Sequence, residues 1–211
     1  MPQEYRTVNN LPKLTEVLLE GETKIKINFE DCSYLYLELL RRGVDLCDID
    51  ITGWNVSNVT DMRCMFSYAK KFNQPIGNWN VSRVTDMYSM FGGAEKFNQH
   101  IGNWDVSNVS DMTYMFWGAK NFNQPIGNWN VSNTIDMNGM FMGAETFNQP
   151  IGNWNVSNVV RMACMFKDTK NFNQPIGNWE LVQVADVRDI FKNCPICNSN
   201  KPKGISNDAR V

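Results

Sequence analysis

Residues 76–100 read "IGNWNVSRVTDMYSMFGGAEKFNQH", and residues 101–125, "IGNWDVSNVSDMTYMFWGAKNFNQP", repeat them without a gap. The same register of 25 residues runs from 51 through 176, and Trp54, Trp79, Trp104, Trp129, Trp154 and Trp179 mark six successive units. A fixed period of this length predicts a solenoid, because so short a unit cannot enclose a core alone and buries its apolar side only against a neighbour of the same shape. Trp117 alone among the tryptophans lies outside the series.

The spacing inside one unit predicts how it folds. In 76–100 the apolar positions are Ile76, Trp79, Val81, Val84, Met87, Met90, Phe91, Ala94 and Phe97. The step of two from Trp79 to Val81 predicts one short strand. From Val84 the steps become three and four, which predicts one or two turns of helix burying one face. Asp61, Asp111, Asp136 and Asp186 stand where such a helix would begin and suit its N-terminus. The return segment "FNQPIGNW" carries Gly77, Gly102, Gly127, Gly152 and Gly177, read as bend positions. Its asparagines, Asn73, Asn98, Asn123, Asn148 and Asn173 among them, are expected to hydrogen-bond irregular backbone from unit to unit. The expected fold class is therefore an α/β repeat with a short parallel β-strand and a short helix in each 25-residue coil.

The order of residues in "FNQPIGNWNVSNVTDM" resembles the BspA-like leucine-rich repeats, a 25-residue repeat of bacterial and mycoplasma-type surface proteins and of some large DNA viruses. The resemblance covers about residues 44–197. It implies a leucine-rich-repeat-like solenoid and a role in surface adhesion or protein–protein interaction.

Before the repeats, residues 1–50 read as an N-terminal cap. A step back of 25 places Leu37 in the slot of Met62, so "DCSYLYLELLRR" over 31–42 is expected to replace the repeat's helix with a longer one, started by Asp31 and ended by Gly43. "TEVLLEGETKIKINF" alternates on both sides of Gly21 and predicts a β-hairpin over the open edge. Residues 51–197 form the six coils, and 198–211 a C-terminal tail or cap. In this register Cys194 and Cys197 of the C-x-x-C pair occupy the slots of Ala94 and Phe97, and both are expected to be buried repeat positions rather than a metal knuckle.

Specificity in a repeated scaffold belongs to the positions that do not repeat. The row Asn55, Asn80, Asp105, Asn130, Asn155, Glu180 is uniformly polar. The rows Arg63, Tyr88, Thr113, Asn138, Ala163, Arg188 and Ser67, Gly92, Trp117, Met142, Lys167, Lys192 differ from unit to unit. Trp117 with Tyr88, Tyr114 and Met142 is the candidate partner-binding patch. The plainer alternative is that Trp117 folds over the small Gly92 or Gly118.

Composition narrows the function classes. The chain has 211 residues, 43% hydrophobic and 20% charged, with a formal net charge of −2 and no basic run. Neither nucleic-acid binding nor membrane insertion is expected. No signal peptide or transmembrane segment is recognised, which points to the cytoplasm or a virion rather than to secretion. His100 is the sole histidine and stands in a loop where other units have proline. No nucleophile–base pattern, phosphate loop or metal-ligand spacing accompanies it, so no catalytic, cofactor or metal residues are assigned. The expectation is a non-enzymatic interaction module binding a protein partner of unknown identity or further copies of itself. A structural subunit of a larger assembly such as a large DNA virus particle, or a cell-surface adhesion protein, is the alternative.

Overall fold

Asn10 and Pro12 start the first regular element. The Asn10 Oδ1 accepts the Lys13 N–H at 2.9 Å, and Pro12 fits a first turn that has no use for its missing N–H. The resulting helix α1, Leu11–Leu19, buries Leu14, Val17 and Leu18 at steps of three and four. It joins strand β1, Arg6–Val8, to strand β2, Ile25–Ile27, which pairs parallel with β1 in the register Arg6↔Ile25. The computed structural model describes residues 5–205. The hairpin expected around Gly21 is thus corrected to a strand–helix–strand crossover. Only Ile25 and Ile27 obey the alternation of two; the segment before Gly21 follows the helical spacing and has its cap.

The second cap helix is shorter than expected. Residues 31–34 join the stack: Asp31 bridges Asp61, and the Cys32 and Tyr34 N–H groups donate to the Asp61 and Arg63 carbonyls, each at 2.8 Å. Helix α2 is therefore Leu35–Arg41 rather than 31–42. The Asp31 Oδ1 accepts from the Ser33 N–H in a local turn instead of capping the helix. Gly43, at φ 82°, ends α2, with its own N–H donating to Leu40 O and the Val44 N–H to Leu39 O, as a glycine stop requires. The step from cap to first repeat is 30 residues, not 25, so Leu37 does not stand in the slot of Met62.

From Asp61 onward single parallel bridges link Asp61, Asp86, Asp111, Asp136, Arg161 and Asp186, one residue from each successive unit. Between 44 and 197 the described residues contain neither an α-helix nor a strand of a pair or longer. The strand expected at Trp79–Val81 is irregular backbone between two turns, and the helix expected from Val84 is replaced by turns. Met90, Gly92 and Ala94 donate N–H groups three residues back, to Met87, Ser89 and Phe91. The alternate N–H groups of Met87, Ser89, Phe91 and Gly93 instead donate to Asp111, Thr113, Met115 and Trp117 of the next unit. Ser89 at φ 51° and Gly93 at φ 71° are left-handed residues within this alternation and end any α-helix. Val84, Met87, Met90, Phe91 and Ala94 are still fully buried.

The aspartates of the bridge row serve these turns. The Asp86 Oδ1 accepts the Tyr88 N–H at 2.9 Å, and Asp61, Asp111, Asp136 and Asp186 act alike two residues on. Where Arg161 interrupts the row, the Asn138 Oδ1 of the preceding unit accepts the Ala163 N–H at 2.8 Å and the guanidinium pairs with Asp136.

Stacking of identical side chains makes the core. Phe66, Phe91, Phe116, Phe141, Phe166 and Phe191 lie nearly parallel, with centroids 5.6 to 5.8 Å apart. Phe72, Phe97, Phe122, Phe147 and Phe172 form a second column, each about 4 Å from the phenylalanine of its own unit. The indole Nε1 of Trp104 donates to Ile76 O at 3.2 Å, a bond repeated from Trp79 to Trp179. Trp54, with no equivalent unit before it, leaves its Nε1 buried without a partner.

Along the return segment the Asn98, Asn123, Asn148 and Asn173 N–H groups donate to the asparagine Oδ1 one unit back, at 2.9 to 3.0 Å. Gly102 is required for a reason other than a bend: its φ is ordinary, but a Cβ there would overlap the carbonyl oxygen of Pro125, which closes the same 25-residue unit.

The final unit departs from register. Cys194 keeps the small-residue slot, with its N–H donating to Phe191 O at 3.0 Å. Ile196, 4% exposed, fills the place expected for Cys197. Cys197 is exposed, and its N–H donates to the Asn173 Oδ1 at 2.8 Å, the bond an asparagine makes in other units. The larger apolar side chain takes the pocket and the register slips by one residue. Residues 206–211 of the expected tail lie outside the described residues. Among the described residues no helix is long and apolar enough to cross a membrane.

Candidate functional site

Two rows of left-handed backbone run up one side of the stack. The first is Tyr34, Cys64, Ser89, Tyr114, Gly139, Cys164 and Asp189, at φ between 51° and 58°. The second is Tyr68, Gly93, Gly118, Gly143, Asp168 and Asn193. Neighbouring units hold the backbone at both rows through main-chain bonds, so the side chains are free to differ.

The differences concentrate toward the N-terminal half, where glycines and tyrosines alternate. Tyr68 leans over Gly93, whose Cβ would come within 3.2 Å of its Cδ1. Across that gap it meets Trp117 edge to face, with centroids 5.8 Å apart and planes at 82°. Tyr114 lies against Gly139, where any Cβ would overlap the ring, and it meets Tyr88 at 6.1 Å and 90°. Missing side chains leave room, and the rings from adjacent units wall it. The result is an open cleft of about 430 Å³, also bordered by Met142, Tyr34 and Leu37 and floored by Cys64, Ser67 and Ser89. This is large enough to seat a side chain or a short segment of another molecule.

Tyr88, Tyr114, Trp117 and Met142, the four residues singled out from sequence, are brought to this one cleft. Trp117 does reach across a glycine, but to Tyr68 two units back rather than onto its neighbour alone. Tyr34 and Tyr68 were missed. Tyr68, 55% exposed, is the sole aromatic in a row otherwise of glycine and polar residues, and that was its signal. Tyr34 comes from the cap, and only the 30-residue step places it in the row of Cys64 and Ser89.

The lining is mostly apolar. Burial pushes the Cys64 thiol above its ordinary range, so it remains protonated and a poor nucleophile at neutral pH. Burial likewise raises the Tyr88 hydroxyl, with Cys64, Tyr114, Tyr34 and Asp111 adding to the shift. Asp86, two residues before Tyr88, is held above the usual carboxylate range by desolvation and by Asp111 and Asp61. The Tyr88 N–H and Arg63 oppose that shift. Among the described residues no cluster of three or more His, Cys, Asp or Glu has a metal-holding arrangement.

Compared with known proteins, the chain matches the family described as "Mycoplasma protein of unknown function, DUF285" over residues 37–141 and again over 100–204. No curated protein and no solved structure matches it.

Proposed function

This chain belongs to the DUF285 family, matched over most of its length, and from that premise we propose that it is a non-enzymatic protein-interaction module. In this reading the units form a leucine-rich-repeat-like solenoid of the BspA-like kind, and the aromatic cleft is its partner surface. One observation carries the proposal. The scaffold repeats nearly residue for residue, yet the partly exposed aromatic side chains of the units gather with Tyr34 of the cap in one cleft, from the cap through the third unit. Partly exposed tyrosine and tryptophan in a concave site are the groups on which protein binding energy usually concentrates. Their large area comes at little conformational-entropy cost, because each ring has only two side-chain torsions.

The test is capture from the native source with the full chain, its Trp117→Ser variant and its Tyr114→Ala variant. Thermal unfolding of each variant beside the parent establishes that the stack is intact. A protein retained by the parent and lost from both variants is the expected result. Equal retention by all three would refute the cleft as the partner surface. Retention of the chain itself, at a stoichiometry above one, would assign the cleft to self-assembly instead.

A further inference from the structure

We infer that the cleft receives an arginine side chain carried by a basic segment of the partner. The inference rests on the cleft being the partner surface and adds the chemistry of what enters it. The walls present the rings of Tyr88, Tyr114 and Trp117, whose π faces are electron-rich and attract a cation held against them. Carboxylates stand next to Tyr88, outside the lining itself. Asp86 stands two residues before Tyr88 and accepts its N–H at 2.9 Å, and Asp111 is the next rung of the same row, bridged to Asp86 through the backbone.

These carboxylates are only partly neutralised from within, since Arg63 is shared between Asp61 and Asp86. Arg63 lies 3.6 Å from Asp86 but is engaged by Asp61, where its Nη2 sits at 2.6 Å. Asp111 has no ion-pair partner among the described residues, and Arg161 is taken by Asp136. A cation entering the cleft therefore meets aromatic rings beside a carboxylate row in which Asp111 has no pairing cation among the described residues, whereas an anion would meet repulsion from the same groups. Arginine fits better than lysine because a flat guanidinium stacks on rings and is more weakly hydrated than an ammonium, so it enters a partly apolar cleft more readily.

The experiment uses the full chain labelled with 5-fluorotryptophan. Its ¹⁹F spectrum resolves each indole, and the Trp117 signal is assigned by its loss in Trp117→Phe. The probe is a Gly/Ser peptide with one central arginine, and the control is the same peptide with citrulline, which keeps the shape and removes the charge. The expected result is a saturable shift of the Trp117 signal with arginine and none with citrulline. Affinity should fall about threefold to tenfold on raising salt from roughly 0.05 to 0.5 M, and by a similar factor in Asp111→Asn. That variant retains the Oδ1 that accepts the Thr113 N–H, so the turn survives. A Trp117 signal unmoved by the arginine peptide would overturn the inference, as would an equal response to citrulline. In the latter case the cleft still binds, and only its cation preference is refuted; failure of the capture experiment would remove the cleft itself.

Discussion

Truncating Phe116 and Phe191 to alanine tests whether stability comes from stacking between units. The two residues share a slot, and both are buried to 0–1% exposure. A fully buried Phe→Ala change costs about 3–5 kcal/mol through lost burial and the cavity left behind. Their neighbours differ. Phe116 stacks on Phe91 at 5.7 Å, Phe141 at 5.6 Å and Phe122 at 4.0 Å, with Trp129 at 6.3 Å. Phe191, in the last unit, stacks on Phe166 at 5.8 Å. Aromatic pairs contribute about 0.5–1.5 kcal/mol each beyond area. Taking the low end for the three extra rings, because neighbouring terms do not add fully, Phe116→Ala should cost about 1.5–3 kcal/mol more than Phe191→Ala. Urea unfolding followed by circular dichroism, with the denaturant slope checked for constancy, measures both. Equal losses within about 0.5 kcal/mol would refute the stacked-column account, because unit-to-unit contacts would then carry no separate share of the stability.

Three further expectations use the same assay. Gly102→Ala should lose about 2–3 kcal/mol, since its Cβ would overlap the Pro125 carbonyl at the end of the same unit and the backbones must part; a loss below about 0.5 kcal/mol would contradict that close approach. Trp104→Phe should cost about 1–2 kcal/mol more than Trp54→Phe, because the first leaves Ile76 O without its indole donor and the second removes an Nε1 that already has no partner. Asp86→Asn should stabilise the protein at neutral pH. The folded state holds the Asp86 pKa above its ordinary 3.8, so protonation favours folding and the charged form opposes it. The gain over the parent should shrink as pH falls through the raised value and vanish below about 3.8, and a gain constant with pH would exclude the carboxylate as its source.

Much of the burial pattern was legible in the sequence. Ile76, Trp79, Met87, Phe91 and Phe97 were read as inward, and all are buried. The asparagine bonds of the return segment followed from the same register. The backbone path was misread because steps of three and four fit two geometries. A helix satisfies them with N–H groups bonded four residues back, and so does a chain of tight turns with every second N–H sent to the next unit. Tyr, Cys, Ser and Asp in the left-handed rows give no warning, since glycine is the usual mark of that conformation and these positions do not require it. At the C-terminus, register alone gave Cys197 the slot that Ile196 occupies, because one residue of slip is invisible until the larger side chain is seen to claim the pocket.

The cleft divides the same way. Its raw material, unlike residues in otherwise constant rows, is visible in the sequence as Tyr88, Tyr114, Trp117 and Met142. That Tyr34 and Tyr68 close it, and that Gly93 and Gly139 give the rings their room, appears only when the cap is stacked at its true offset. The period by itself determined which side chains face their counterparts, because identical units can only bury one another in register. Whether those units turn or coil, and which tyrosines meet across a missing side chain, was decided by hydrogen bonds between units, and those exist only once the stack has formed.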